Sequence, residues 1–215
     1  MNFNLKAREE ISLELKGYIP PLCAKELLPE GLQPLVINEM TPICLQLARI
    51  ERMNWQHLPF VSMHYDKAIW HIAVTKEQEP GWFLTICDMS HGFLRHMSHI
   101  LLGYPVRDAE FSFLEKRKSL VTRHQPETGG EMRCHIELGA DDAHKDLVSP
   151  FFIKNKNGFR QIDIQETYPD FCRLSKADII KDEISREIFG DSVQWEKECY
   201  VFRGRIVNWQ EIPIQ

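Results

Sequence analysis

The stretch that decides the fold opens with KAIWHIAVT at residues 67–75 and continues with GWFLTICD at residues 81–88. Apolar side chains alternate along the first segment, which places Trp70 on one face of a strand and His71 on the other. The second segment has the composition of a partner strand, and a polar turn separates the two. Residues 67–87 are therefore predicted to form a β-hairpin.

The same stretch then runs as SHGFLRHMSHILLGYPVRDAEFSF over residues 90–113, where the spacing of apolar residues becomes helical. The apolar face of this helix consists of Phe93, Met97, Ile100 and Leu101. Ser90 is a suitable N-cap and Gly103 a suitable C-terminal stop, so a helix is predicted over about residues 90–102. Strand signals resume at residues 109–113.

The segments on either side add further strands. A short helix is predicted within residues 21–34, followed by an extended run over residues 35–53 that is broken at Pro42. A hairpin over residues 150–166 turns at the pair Asn157-Gly158. Additional strands are predicted at residues 117–123, 131–138 and 193–209.

A second principal helix is predicted over residues 176–189, where Ser175 and Asp178 resemble a capping box and Gly190 ends the pattern. Its apolar face consists of Ile180, Ile184 and Ile188. Many strands at short spacing, with two principal helices, predict a mainly β (α+β) fold. We expect an antiparallel, barrel-like curved sheet that forms one domain over residues 1–215.

The composition excludes several classes of protein. The chain has 215 residues, of which 43% are hydrophobic and 27% charged, and its net charge is −5. No basic face is available for a phosphate backbone, so no nucleic-acid partner is predicted. No apolar run approaches the ~20 residues that span a bilayer, and the N-terminal residues lack the pattern of a signal peptide. We therefore predict no membrane partner and a cytoplasmic location.

The cysteine spacing and the absence of nucleotide-binding motifs exclude further kinds of site. The six cysteines form no C-x-x-C pair, which indicates reduced thiols rather than disulfides or a zinc ribbon. The sequence contains no P-loop and no dinucleotide-binding fingerprint. No cofactor is predicted.

The order of hairpin, helix, Gly-Tyr-Pro and strand between Trp70 and Phe113 resembles the acetoacetate decarboxylase-like superfamily, including its bacterial branch of proteins without an assigned activity. The segments LLPEGL at residues 27–32 and IVNW at residues 206–209 add to the resemblance. It implies a β-barrel-like, mainly antiparallel sheet around an internal cavity. It also implies that the helix before Tyr-Pro delivers residues to the mouth of that cavity.

The decarboxylases of that superfamily carry a Tyr-Pro-Lys-Lys sequence, in which the first lysine forms a Schiff base and the second lowers its pKa. The matching residues here are Tyr104-Pro105-Val106-Arg107. Valine has no amine, and arginine stays protonated, so this motif is not expected to decarboxylate a keto acid through a Schiff base. The expected fold does not depend on that activity.

The resemblance and the strand pattern together nominate residues that line the cavity. The candidate catalytic groups are His71, His99 and Arg107, and the candidate substrate-binding residues are Tyr104, Val106 and Trp70. His99 is included because the resemblance places it where the family has an arginine. A cavity-facing guanidinium would bind a carboxylate through two parallel hydrogen bonds.

Each of these residues also has a plainer interpretation. Arg107 also fits a surface position, where it would pair with Asp108 or Glu110. Tyr104 fits a core position at the entry to a strand, and His71 fits a hydrogen-bonded histidine within the sheet.

The helix over residues 90–102 also carries His91, His96 and His99. Their positions around the helix are poorly suited to binding one metal ion together, so no metal is predicted. Capping and surface roles are the alternative for these histidines.

Taken together, the sequence predicts a small-molecule-binding barrel whose ligand bears a carboxylate. One hypothesis is a lyase or hydrolase that acts on a small organic acid by acid–base chemistry. The competing hypothesis is a non-catalytic ligand-binding or assembly protein whose barrel is packed with side chains. At this stage both catalysis and homo-oligomer formation stay open.

Overall fold

The computed structural model describes residues 4–55, 58–93, 95–96, 106–140, 151–155, 158–167 and 171–211. Strands make up 72% of the structure, which confirms the predicted mainly β class. None of the helices in the described ranges is long and apolar enough to cross a membrane.

Within these ranges the strands belong to a single sheet. Its strands are β1 (Asn4–Ile19), β2 (Gln33–Pro34), β3 (Thr41–Trp55), β4 (Leu58–Lys76), β5 (Glu79–Met89), β6 (Val106–Lys116), β7 (Ser119–Pro126), β8 (Met132–Glu137), β9 (Phe151–Asn155), β10 (Gly158–Thr167), β11 (Phe171–Asp182) and β12 (Gln194–Glu211). Two helices are complete in the described part, α1 (Pro21–Leu27) and α2 (Ile184–Phe189). Residues 92–93 and 95–96 are also helical, within the range predicted for the first principal helix.

The sheet closes on itself in two ways. A nine-strand ring runs in the order β5-β6-β7-β8-β11-β12-β1-β3-β4 and returns to β5. Its pairings are antiparallel except for the parallel pair β5–β6, so the barrel is mixed. A second ring shares five of these strands, namely β12, β1, β3, β4 and β5. The strands β9 and β10 close it through the pairs β10–β12 and β5–β9. They complete a seven-strand ring.

The two rings separate where β5 and β12 each change partner along one edge. Residues 82–84 of β5 pair with β9, and residues 87–89 pair with β6. Residues 198–203 of β12 pair with β11, and residues 206–211 pair with β10. Gly204 lies at the second junction with φ of 62°, a left-handed backbone conformation that costs other residues free energy.

The rings enclose different side chains because neighbouring residues of a strand point to opposite faces. In the nine-strand ring, Trp70 packs against Phe189 of α2 and against Trp195, with ring centroids 5.7 and 6.1 Å apart. The neighbouring residue Ile69 faces the seven-strand ring. A separate apolar cluster lies on that side, made of Ile69, Leu84, Cys87, Phe151, Ile153, Ile162, Ile164 and Val207.

The predicted hairpins are confirmed. The strands β4 and β5 pair from Lys67 to Lys76, and their turn consists of Glu77 and Gln78, both with positive φ. The strands β9 and β10 pair around the predicted second hairpin. The predicted turn residue Asn157 lies outside the described residues, and residues 97–102 of the first principal helix do as well.

The helix predicted over residues 176–189 is wrong in its first half. Residues up to Asp182 belong to β11, which pairs with β12 on one edge and β8 on the other. Exposure alternates there, with Ser175 buried and Ile180 57% exposed, so tertiary pairing overrides the helical spacing of the isoleucines. The start of the helix is also different: its N-cap is Glu183, and Asp182 before it accepts hydrogen bonds from the backbone N–H and the hydroxyl of Ser185.

Two further details differ from the prediction. The N-terminal strand β1 was not predicted, although it pairs with both β12 and β3 along most of its length. Pro42 does not break the extended run, because it lies inside β3. The pairing of β3 with β4 begins at Ile43, so the missing N–H of Pro42 removes no hydrogen bond between these two strands.

Candidate functional site

A cluster of four charged side chains is buried on the side of the sheet that faces the seven-strand ring. Oε1 of Glu9 lies 3.0 Å from Nζ of Lys67, and Oε2 of Glu9 accepts a hydrogen bond of 2.6 Å from Nε of Arg205. Arg205 donates a second bond of 2.7 Å, from Nη1 to Oε1 of Glu14. The four residues are at most 4% exposed. Burying charges this deeply is costly unless they pair, which the cluster achieves among its own members.

Irregularities in two strands bring these residues together. The pairing of β1 with β3 shifts between Glu9 and Ile11, and Gly204 with its positive φ precedes Arg205 on the opposed strand β12. As a result, Ile11 and Val201 pack into the apolar cluster of the nine-strand ring, whereas Glu9 and Arg205 face the other side. Lys67 reaches the same place from β4 and lies over the ring of Trp209, 4.7 Å from its centroid.

The electrostatics keep Glu9 ionised. Burial by itself would raise the pKa of this carboxyl group, but Arg205 and Lys67 hold it at about 2. The ion pairs therefore persist at neutral pH. Removing one cation would leave a buried carboxylate without full compensation.

His71 lies on the same face of β4 as Lys67 and is 6% exposed. Its ring packs edge-on against Trp82 and Phe151, at centroid distances of 6.2 and 5.7 Å. Burial lowers the pKa of His71 to about 3, against the effect of a hydrogen bond to the backbone of Cys44, so the imidazole is neutral. Among the described residues, its Nδ1 atom has no hydrogen-bond partner.

Arg107 lies on the other side of the sheet and is engaged by a carboxylate of the chain itself. It donates hydrogen bonds from Nε to Oδ1 of Asp88 and from Nη2 to Oδ2, at 2.6 and 3.0 Å. Nε2 of His124 is 2.9 Å from the same Oδ2, and the ring of His124 stacks on Phe111. Burial would raise the pKa of Asp88, but His124 and Arg107 lower it, so this carboxylate is ionised.

The structure therefore separates residues that the sequence placed in one cavity. His71 and Val106 face the seven-strand ring, where Val106 packs against its apolar cluster. Trp70 and Arg107 face the nine-strand ring instead. The plainer interpretation predicts that Arg107 pairs with Asp108 or Glu110. In the structure its carboxylate partner is Asp88 instead.

Two of the nominated residues, His99 and Tyr104, lie outside the described residues, and their predicted roles stay predictions. His91 and His96 are described, but no group of three histidine, cysteine, aspartate or glutamate side chains within the described ranges is arranged to hold a metal ion.

Sequence reasoning missed the charged cluster. A signal for Lys67 was present, because it stands four residues before His71 on a predicted strand and therefore shares its face. Glu9 lay in a segment with no predicted strand. Arg205 could not be assigned to a face from alternation, because the irregularity at Gly204 reverses the faces of β12.

Comparison with known proteins supports the fold by structure and not by sequence. No protein-family model and no curated protein matches the chain. Among solved structures, the enduracididine biosynthesis enzyme MppR is similar, with a TM-score of 0.71 and 8% identity, over 98% of this chain and 87% of MppR. In that structure MppR is complexed with the condensation product of pyruvate and imidazole 4-carboxaldehyde. MppR has also been solved with pyruvate.

Two further solved structures agree with this. An acetoacetate decarboxylase-like enzyme from Sphingomonas wittichii RW1 has a TM-score of 0.69 and 13% identity, over 98% of this chain and 90% of the enzyme. The acetoacetate decarboxylase of Legionella pneumophila subsp. pneumophila str. Philadelphia 1 has a TM-score of 0.69 and 10% identity, over 97% and 87%. The chain has the fold of the acetoacetate decarboxylase-like superfamily.

Proposed function

We propose that this protein is a small-molecule-binding barrel that takes a small organic acid into the seven-strand ring, beside His71 and the buried charged cluster. The observation that carries the proposal is the burial of Lys67 and Arg205, with their partners Glu9 and Glu14, beside an apolar wall. Ligand sites combine apolar walls with a few convergent polar groups, and this side of the sheet has both.

Lys67 is the cation that we assign to the ligand carboxylate. An ammonium group has three hydrogens to donate, and among the described residues Lys67 contacts one oxygen of Glu9 and the face of Trp209. Arg205 is already engaged by carboxylate oxygens of Glu9 and Glu14. A carboxylate oxygen placed at Lys67 would gain a charge-assisted hydrogen bond in a water-poor site.

The fold is consistent with this ligand class, because the structurally similar enzyme MppR was solved with pyruvate. For the chemistry, we propose acid–base catalysis in a lyase or hydrolase reaction and no Schiff base at position 106. Val106 has no amine, and Lys67 is held in an ion pair with Glu9, whereas a nucleophilic amine must be free of its proton.

A packed, non-catalytic barrel is the competing function. The observation in its favour is the apolar cluster of eight buried residues on the same side of the sheet. The two functions differ in one measurable respect, since only an accessible interior binds an added acid.

The test is a thermal-shift and calorimetric screen of small carboxylates on the wild-type protein and two variants. The first variant, Glu9→Gln with Lys67→Met, removes one charge of each sign and leaves Arg205 paired with Glu14. The second, Arg107→Ala, is the control for the nine-strand ring, and its response is compared with its own ligand-free melting temperature because the substitution also removes the pair with Asp88. We expect stabilisation of the wild type by at least one acid, retained in the control and lost in the double substitution.

The opposite results are equally clear. If no acid at millimolar concentration stabilises the wild type, the packed barrel is correct. If Arg107→Ala abolishes binding while the double substitution keeps it, the acid binds in the nine-strand ring at Arg107, as the sequence alone suggested.

A further inference from the structure

The site proposed above is buried, so a ligand needs an entrance to it. His71 is 6% exposed and Lys67 is 2% exposed, and both side chains point from β4 into the seven-strand ring. The strands β9 and β10 close the wall of that ring through their pairs with β5 and β12. A small acid passes such a wall where a side chain moves aside or where two strands separate.

The end of the ring nearest to His71 can be recognised from the change in exposure along one face of β5. Pro80 is exposed, Trp82 is half-buried and Leu84 is buried, and alternate residues of a strand share a face. On the adjacent strand β4, exposure falls in the same direction, from half-buried Thr75 to buried His71. The surface therefore gives way to the interior at Trp82, and His71 is the first polar side chain behind it on β4.

Trp82 covers His71 together with one residue of β9. Trp82 and Phe151 are register partners across the parallel pair β5–β9, and each ring packs edge-on against the imidazole of His71, at centroid distances of 6.2 and 5.7 Å. Phe151 is 9% exposed and belongs to the apolar cluster, whereas Trp82 is only partly buried against that cluster. Of the two aromatic side chains, Trp82 therefore loses less apolar burial when it swings outward.

Separation of β5 from β9 is the less favourable way to open the ring. It would break backbone hydrogen bonds of the ladder, and it would expose the register partners Phe83 and Phe152, which are 2% and 1% exposed. Rotation of the Trp82 side chain leaves the ladder and this aromatic pair in place. The side chain is therefore the better candidate for the moving part.

We propose that the half-buried indole of Trp82 closes the entrance to the seven-strand ring and controls how fast a small acid reaches His71 and Lys67. The inference rests on the proposed function for its ligand and adds the residue that regulates access to the site. A side chain that only opens and closes the entrance changes the association and dissociation rate constants by the same factor. It leaves the dissociation constant unaltered.

The first test uses two cysteines of the chain and needs no acid. Cys87 belongs to the apolar cluster of the seven-strand ring, Cys134 belongs to that of the nine-strand ring, and both residues are 0% exposed. Their rates of alkylation by iodoacetamide are measured by mass spectrometry in the wild type and in the series Trp82→Phe, Trp82→Leu and Trp82→Ala. The control, Phe113→Ala, removes a partly buried aromatic ring that packs against the other cluster.

We expect the alkylation rate of Cys87 to rise as the side chain at position 82 becomes smaller, by at least about tenfold in Trp82→Ala. The rate at Cys134 should change by less than about threefold, and Phe113→Ala should not accelerate Cys87. A uniform rise at both cysteines throughout the series would show that Trp82 only stabilises the fold. An unchanged rate at Cys87 in all three variants would place the entrance elsewhere. Either outcome overturns the proposal.

The second test separates this inference from the proposed function. The association and dissociation rate constants of pyruvate are measured by ligand-observed NMR relaxation for the wild type and for Trp82→Ala, and both should increase by a similar factor. A variant that loses affinity at an unchanged association rate would make Trp82 a wall of the binding site and would contradict its role at the entrance. If Cys87 responds as expected and neither pyruvate nor any other carboxylate of the screen binds, the entrance is confirmed and the proposed function fails.

Discussion

The guanidinium of Arg107 donates two parallel hydrogen bonds to the carboxylate of Asp88, from Nε at 2.6 Å and from Nη2 at 3.0 Å. The two residues are also register partners on the parallel strands β5 and β6, one position after Cys87 and Val106. The pair therefore fastens the junction from which β6 starts, and it sets Val106 against the apolar cluster of the seven-strand ring. Arg107 supports that interior without facing it.

The first prediction concerns this pair. Arg107→Ala should lower the free energy of unfolding by about 3 kcal/mol, because Asp88 would stay buried beside His124 without its main cation. Urea denaturation measures the loss, and Asp88→Asn in the same background should recover part of it. A variant with unchanged stability and weakened acid binding would instead make Arg107 a ligand-binding residue.

The second prediction contrasts a buried cation with an exposed one. Arg205→Met should destabilise the fold by about 3–5 kcal/mol, because Glu9 and Glu14 would each lose a buried ion pair with the guanidinium. Its control is Arg133→Met. Arg133 is 44% exposed and is one of three cations around Glu131, so its loss should cost less than about 1 kcal/mol. Similar losses in the two variants would show that the Arg205 cluster is hydrated.

The third prediction concerns acid denaturation. The pKa of Glu9 falls from 4.5 to about 2 on folding, so its contribution is present above pH 4.5 and is lost as pH falls towards 2. The pKa of His71 falls from 6.5 to about 3 because the buried ring resists protonation, so its contribution is present above pH 6.5 and is lost as pH falls towards 3. Stability should therefore decline from about pH 6.5 downward.

The measurement is the free energy of unfolding between pH 8 and pH 3 for the wild type and for His71→Phe. The variant should lose the decline between pH 6.5 and 4.5, and it should decline less steeply than the wild type between pH 4.5 and 3, where Glu9 still contributes. Identical pH profiles would mean that the ring of His71 is accessible to protons in the folded protein.

The fourth prediction concerns the glycine at the junction of the rings. Gly204→Ala should cost about 1–2 kcal/mol, because φ of 62° is unfavourable for a residue with Cβ. Acid binding should weaken as well, since Arg205 follows directly and faces the proposed site. The control, Gly92→Ala, places a Cβ in open space on a helical residue and should be neutral or slightly stabilising. Equal effects at the two positions would contradict the role of Gly204.

The fifth prediction concerns the Schiff base. Incubation with acetoacetate and borohydride should leave no covalent adduct, because Val106 has no amine and Lys67 is held in an ion pair with Glu9. Intact-mass measurement before and after reduction is the test. A stoichiometric adduct that maps to Lys67 would show that this lysine loses its proton when the acid binds.

Local signals in the sequence were sufficient for much of the fold. Alternation and turn residues predicted the hairpin of β4 and β5 and the hairpin around Asn157-Gly158, because these elements pair with their neighbours in the chain. They failed for residues 176–182, where the spacing of apolar residues suits a helix and the strand is imposed by two distant partners, β8 and β12. They also failed for β1. Its charged sequence does not indicate a strand, and its extended conformation depends on pairing with β3 and β12.

For the site, the sequence by itself determined that His71 and Trp70 face opposite ways and that Val106 offers no amine. Only the tertiary structure decided that Arg107 is held by Asp88 and that Glu9, Lys67 and Arg205 meet. The reason is physical. Which face of a strand is buried depends on the ring it helps to close, and irregularities such as that at Gly204 reverse the faces partway along. Side-chain alternation is a local property, whereas the closure of two rings on one shared sheet brings together residues as far apart as Glu9 and Arg205.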